Sequence, residues 1–449
     1  MAADLGATGS GPRGSRLGNW RAGLRLEPWF TPFALVNGAG VGVSPILLPV
    51  VAARYGVGHA GLVMGAFNLG ALAAPLTGSL ADRFRAYRVL ATAAAAVTAI
   101  ALALFPWAGP AAQVLLGLGE GAGFAAAITI ANLLIVERRQ QAEWNSRLGW
   151  LETSLSVGQA GALFLAAWLS GLSTRSALLA GAIVPAAAIP LALVLIPRVG
   201  PAAPRPARAS HHLASNGQVG EWGPASPSRV HHLHQRRRPL AGFRALLGGG
   251  FGWLLAAWIP SYAGAAVVFS LYPVLFRHAF GVATTTSALA FAVTVLVSLP
   301  LYVLAGRVSQ RRGPAPVIAG ALALRVILLA ALAAFAAAGH ILTVLPLAAF
   351  AGIMFAWSFL SVASPGLTGQ LKPEEEGDAQ GFLNAGSGLA GLLGSVAGGL
   401  VANSWGYPAA LSAGAGAVAI GLAIFAVTQL RRRGPAAGVT GGRSPAGRI

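Results

Sequence analysis

Apolar residues run through this chain in blocks too long for a soluble core. Twelve can be marked, near residues 29–52, 58–80, 88–108, 111–136, 147–170, 175–197, 250–275, 284–305, 314–338, 341–367, 379–402 and 407–430. Each is about 20 residues or longer, enough to cross a hydrocarbon layer of roughly 30 Å. Helices are the expected form, because a span in lipid must satisfy its backbone polar groups internally. The first block is too long for a signal-peptide core and no cleavage site follows it, so it reads as a span. The closest pair, blocks three and four, is split by Pro106, Gly109 and Pro110, which mark a tight turn.

Composition agrees with that pattern. The chain is 55% hydrophobic and 10% charged, with mean hydropathy +0.68, whereas soluble domains carry about 25% charged residues. There is no cysteine, which excludes a disulfide framework and a thiolate metal site. The net charge of +19 suggests nucleic acid until the charges are placed. With the N-terminus in the cytoplasm, the inner segments hold 27 of the 31 Lys and Arg residues. Arg54, Arg175 and Arg277 remain outside and Arg325 lies within a span. This is the positive-inside asymmetry, with both termini cytoplasmic. It accounts for the basic excess without a nucleic-acid partner and leaves membrane lipids as one.

The chain therefore divides into a cytoplasmic arm (1–28), a six-helix bundle (29–197), a linker (198–249), a second six-helix bundle (250–430) and a cytoplasmic tail (431–449). The linker is rich in proline, histidine and arginine, and reads as a disordered basic cytoplasmic segment. Its histidines lack anything to position them, so no metal site is expected.

One short motif punctuates the first bundle. Gly78-Ser79-Leu80-Ala81-Asp82-Arg83-Phe84-Arg85 reads as a charged, glycine-led turn between blocks two and three. The second half echoes it after its own second block. Leu76 to Arg83 aligns with Leu304 to Arg311, so Gly306 and Arg307 match Gly78 and Ser79, and Gln310 stands for Asp82. Gly149-Trp150-Leu151-Glu152 likewise matches Gly381-Phe382-Leu383-Asn384. These features resemble the major facilitator superfamily, whose signature between spans two and three combines glycine, aspartate and arginine. The resemblance covers essentially the whole chain. It implies an all-α membrane protein of twelve helices in two pseudo-symmetric bundles, with a substrate site between them near the midplane. It also implies a gating role for Gly78, Asp82, Arg83, Gly306 and Arg307. Two departures stand out. Gln113 occupies the place, four residues before Gly117, where the family usually has an arginine. Gly158-Gln159-Ala160-Gly161 lacks the proline of the family's antiporter motif.

Ionisable residues inside spans are costly and mark candidate sites. Glu120 lies about 14 Å into span four, with Gln113 on the same face seven residues earlier. Glu152 lies about 9 Å into span five, heading a stripe with Ser156 and Gln159. Either carboxylate is a candidate proton carrier, the alternative being a hydrogen bond to a neighbouring helix. Arg325 in span nine is a brace or an attractor of anionic substrate. Asn37, Asn68, Tyr262, Trp357, Ser361 and Asn384 complete the cavity candidates. Aromatic rings with few charges suit an amphipathic organic molecule better than a sugar.

Together these features point to a secondary transporter with no cofactor, metal or catalytic residue. No Gly-x-x-x-x-Gly-Lys loop is present to use ATP. The expectation is a monomer in the cytoplasmic membrane that exports a small amphipathic compound in exchange for protons. Uptake of a small solute is the alternative within transport. An integral membrane enzyme is the alternative from another class, but the one acidic cluster, Glu374 to Asp378, reads as a loop.

Overall fold

The computed structural model describes residues 27–139, 144–171, 173–198, 249–339, 343–372 and 376–433. The expected arm, linker and tail lie outside these residues except at their edges. The described residues are helical almost throughout, without strands. In chain order the helices are α1 (Pro28–Tyr55), α2 (57–84), α3 (Tyr87–Leu104), α4 (Pro110–Arg138), α5 (Trp144–Leu169) and α6 (Thr174–Leu195). The second six are α7 (Gly249–Phe280), α8 (Thr284–Arg312), α9 (Pro314–Ala338), α10 (Val344–Leu371), α11 (376–405) and α12 (407–433).

Ten segments have the length and apolar composition of a membrane crossing. The last of them, Ala379–Leu430, has 52 residues, which as one helix would extend about 78 Å. It breaks at Gly406, where φ is 82° and ψ 172°. Glycine alone adopts that left-handed backbone without penalty, so the segment is the expected pair α11 and α12. Helix α5 falls outside the ten, yet its 26 residues are long enough to cross and pack among the others.

Local chemistry sets the helix ends. Pro110 and Pro314 sit in the first turns of α4 and α9, where a missing N–H costs nothing. Ser173 caps α6 by accepting from the Ser176 N–H at 3.2 Å. Helix α2 stops at Arg85, a left-handed residue at φ 50°.

The first bundle packs α1 on α5 and α6, α2 on α4, and α3 on α4 and α6. The second packs α7 on α11 and α12, α8 on α10, and α9 on α10. Large apolar side chains on the outside, among them Trp168, Val194 and Trp405, are exposed, as expected of surfaces that meet lipid. Polar side chains such as Gln113, Glu120 and Arg325 are buried within.

Alternate crossings place the arginine-rich turns at one end. There Glu27 takes Arg139 at 2.7 Å and Arg147 at 3.2 Å, tying the start of α1 to the turn between α4 and α5. The bundles are clamped at the opposite end. A Cβ on Gly61 of α2 would stand 2.4 Å from Ser395 O and 2.8 Å from Gly399 Cα of α11. Ser170 and Thr285 hydroxyls, 2.7 Å apart, join α5 to α8 at that same end. Towards the arginine-rich end, Ala74–Phe84 of α2 turns to α4 instead.

Candidate functional site

Helix α1 is not regular at its centre. Residues Ala39–Val43 form a π-turn, a distortion that often accompanies function. The glycines around it explain how α1 comes so close to its neighbours. A Cβ on Gly38 would lie 2.7 Å from Gly158 O, and one on Gly42 2.8 Å from the Ala162 Cβ. The π-turn delivers Ser44 onto α4. Its hydroxyl contacts both the Ala39 carbonyl, at 2.8 Å, and the Glu120 carboxyl Oε1. Glu120 is 1% exposed.

Several expected cavity residues sit around this point. The Asn37 amide donates to Leu155 O at 2.9 Å. That of Gln159 donates to Val41 O at 3.3 Å. Both brace the α1–α5 crossing, so the expected α5 stripe is divided. Gln159 turns to the α1 backbone, while Glu152 and Ser156 are half-buried. Glu152 forms no ion pair among the described residues. Gln113, fully buried, meets His59 Nε2 through its Oε1 at 3.0 Å, and its own Nε2 has no partner.

Asn68 lies at the bundle interface rather than within one bundle. Its Nδ2 donates to Met64 O at 2.9 Å and to Ser395 Oγ of α11 at 3.2 Å. Ser395 also meets Ser270 of α7, which makes a three-helix polar knot beside the glycine contact.

The second bundle gathers its aromatic candidates. Tyr262 and Trp357 have ring centroids 5.7 Å apart, and Trp258 stands 6.3 Å and 6.2 Å from them. The Arg325 guanidinium lies over the Trp357 ring at 5.4 Å, a cation–π contact worth about 2 kcal/mol when desolvated. Trp258 Nε1 donates to Ser387 Oγ of α11 at 2.7 Å. One turn from Ser387 along α11, Asn384 accepts from Gln380 at 3.5 Å and leaves its Nδ2 without a partner. Ser361 is turned into its own helix, donating to Ser358 O at 3.3 Å.

The expected gating turn is mostly helix. Gly78 to Phe84 are the last turns of α2, and the break falls only at Arg85 and Ala86. Gly306 to Arg312 likewise end α8. Charged residues can ride on a helix that leaves the hydrocarbon, since long side chains reach the interface while the backbone ladder continues. Gly78 is buried, whereas a Cβ on Gly306 would meet open space. Arg83 is exposed and lies over the Phe84 ring at 5.3 Å. Arg307 is exposed. The Asp82 side chain lies outside what the structure describes.

Sequence reasoning missed Ser44, His59, Trp258, Ser270 and Ser387. Trp258 had a signal, four residues before Tyr262 on one face. The serines had none, since a hydroxyl bonding a carbonyl one turn back is common in membrane helices.

Two helical bundles are thus clamped at one end, each with polar or aromatic residues buried at depth. The family model for the Major Facilitator Superfamily matches residues 30–364 and again 260–447. The chain belongs to that superfamily. Solved structures share its fold. The nucleoside transporter NupG, as its D323A mutant, aligns with TM-score 0.71 and 14% identity over 90% of this chain and 100% of that one. A bacterial homologue of the human lysosomal transporter Spinster, inward-facing and occupied, aligns at 0.65 and 14%, covering 92% and 97%. A D-xylose–proton symporter aligns at 0.64 and 16%, covering 90% and 97%. No curated protein matches the chain by sequence. The protein is thus a multi-pass membrane transporter of the major facilitator fold.

Proposed function

We propose that the protein couples proton movement to the transport of a small amphipathic organic compound across the cytoplasmic membrane. Export is the working direction, both termini are cytoplasmic, and Glu120 carries the proton. The observation that supports this is the Ser44 hydroxyl between two oxygens. Ser44 has one hydrogen, and Ala39 O can only accept. With Glu120 protonated, its O–H donates to Ser44 while Ser44 donates to Ala39, so both contacts are full hydrogen bonds at once. Loss of that proton frees Ser44 to swing its hydrogen from the α1 backbone to the carboxylate. Protonation is thereby linked to the π-turn, the most deformable part of α1.

Substrate recognition is assigned to Trp258, Tyr262 and Trp357, with Asn384 as a free donor. Three rings offer stacking and apolar area. Sparse hydrogen-bonding groups disfavour a polyhydroxylated solute, because each buried hydroxyl would need its own partner. Arg325 braces Trp357 and adds a positive field that favours neutral or anionic compounds. Uptake is the second reading, favoured by the missing proline at Gly158 to Gly161.

Proteoliposomes loaded with a pH indicator and offered a panel of ring-containing amphipaths test this reading. A compound moving down its gradient should drive protons through the protein, and the sign of the pH change fixes export or uptake. Saturable flux with no proton movement would contradict it.

A further inference from the structure

A groove of about 290 Å³ opens between α8, α9 and α10 near the arginine-rich end. Its walls include Val308, Pro316, Gly320, Leu324 and Phe359, and Arg312 stands at its mouth. Pro316, Gly320 and Leu324 are exposed, and a Cβ on Gly320 would meet no atom within 4 Å. The groove is therefore open on the outside of the bundle, apart from the aromatic cluster. Its depth has a scale. Leu324 lies ten residues along α9 from Pro314, about 15 Å, and a hydrocarbon core is roughly 30 Å thick. The apolar floor thus reaches from the charged end through about one leaflet.

The charge at the mouth completes the pattern. Arg307, Arg311 and Arg312 are exposed on the last turns of α8 and form no ion pair with a described residue. Three cations at the interface above a one-leaflet apolar trough match one ligand chemistry, an anionic head above an acyl chain. We propose that this groove is a binding site for an anionic phospholipid of the arginine-side leaflet, its phosphate at Arg312 and one chain along Gly320 and Leu324. A neutral lipid would fill the trough but leave the arginines uncompensated. A free phosphate would meet the arginines but leave the trough empty.

Native mass spectrometry of the full-length protein, titrated with phosphatidylglycerol and with phosphatidylcholine of the same chains, tests the site. The wild type should retain phosphatidylglycerol preferentially. Arg312→Gln should weaken that retention about fivefold, the weight of one arginine at an anionic surface, and Arg312→Lys should restore most of it. Gly320→Leu, which places a side chain in the trough, should weaken it while leaving all three arginines. Size-exclusion profiles matching the wild type keep the comparison to folded protein. If Gly320→Leu destabilises the protein, Gly320→Ala replaces it, with a smaller loss expected. Equal retention of both lipids by the wild type would overturn the proposal. So would undiminished phosphatidylglycerol binding in both the Arg312→Gln and Gly320 variants.

Discussion

Replacing Gly61 by alanine asks whether the α2–α11 contact is a working gate. The new methyl would stand 2.4 Å from Ser395 O and 2.8 Å from Gly399 Cα. Both are backbone atoms, so no side chain can swing aside, and the helices must part by about 1 Å to regain ordinary contact. Overpacking of this size costs about 1–3 kcal/mol. The partner atoms belong to the other bundle, so the cost falls on the clamped arrangement and not on one in which α2 and α11 separate. A bias of that size shifts a two-state population by about 5- to 150-fold. The chain has no cysteine, so one can be placed as a reporter at Ser395, which is fully buried and meets Asn68 of the other bundle at 3.2 Å. Labelling of that cysteine by a membrane-impermeant maleimide should rise at least about fivefold in Gly61→Ala. Gly121→Ala is the control. Its methyl would lie 1.9 Å from Phe67 O, but α4 and α2 share a bundle, so it should lower thermal stability without changing labelling. Unchanged labelling in folded Gly61→Ala, or an equal rise in Gly121→Ala, would refute the gate.

Two further outcomes follow from the same geometry. Trp357→Ala removes the ring that touches Trp258, Tyr262 and Arg325 and should weaken substrate binding about tenfold or more, measured by calorimetry, while Trp357→Phe keeps most of the affinity. A reporter fused within residues 205–235 should signal cytoplasm, as the arginines beside it demand, and a periplasmic signal would reverse the assigned orientation.

The spans were legible because lipid enforces length and apolarity residue by residue, and even the α11–α12 break showed as a lapse in hydropathy near Gly406. What surrounds each polar residue was not legible. Helical periodicity put Glu152, Ser156 and Gln159 on one stripe, but α1 approaches closely enough at Gly38 and Gly42 to take Gln159 for its own backbone. Spacing likewise put Asn68 within span two without revealing that Ser395, 327 residues later, receives it. The charged motif misled about local structure, since arginines mark the membrane boundary while the helix ends at a backbone angle, that of Arg85. Tyr262, Trp357 and Arg325 were all singled out, because aromatic and ionisable groups inside spans are rare, yet their meeting is a property of how α7, α9 and α10 pack.

The central claim is that Glu120 carries the coupled proton, and Glu120→Gln in proteoliposomes tests it most directly. Glutamine keeps the shape and neutral charge of the protonated acid and can still donate to Ser44, so the protein should fold and bind substrate. Downhill exchange should persist and proton-driven accumulation should vanish, with substrate-induced proton movement falling to the protein-free baseline. Accumulation at the wild-type level in Glu120→Gln would contradict the account, and the same pattern in Glu152→Gln instead would move the carrier to α5.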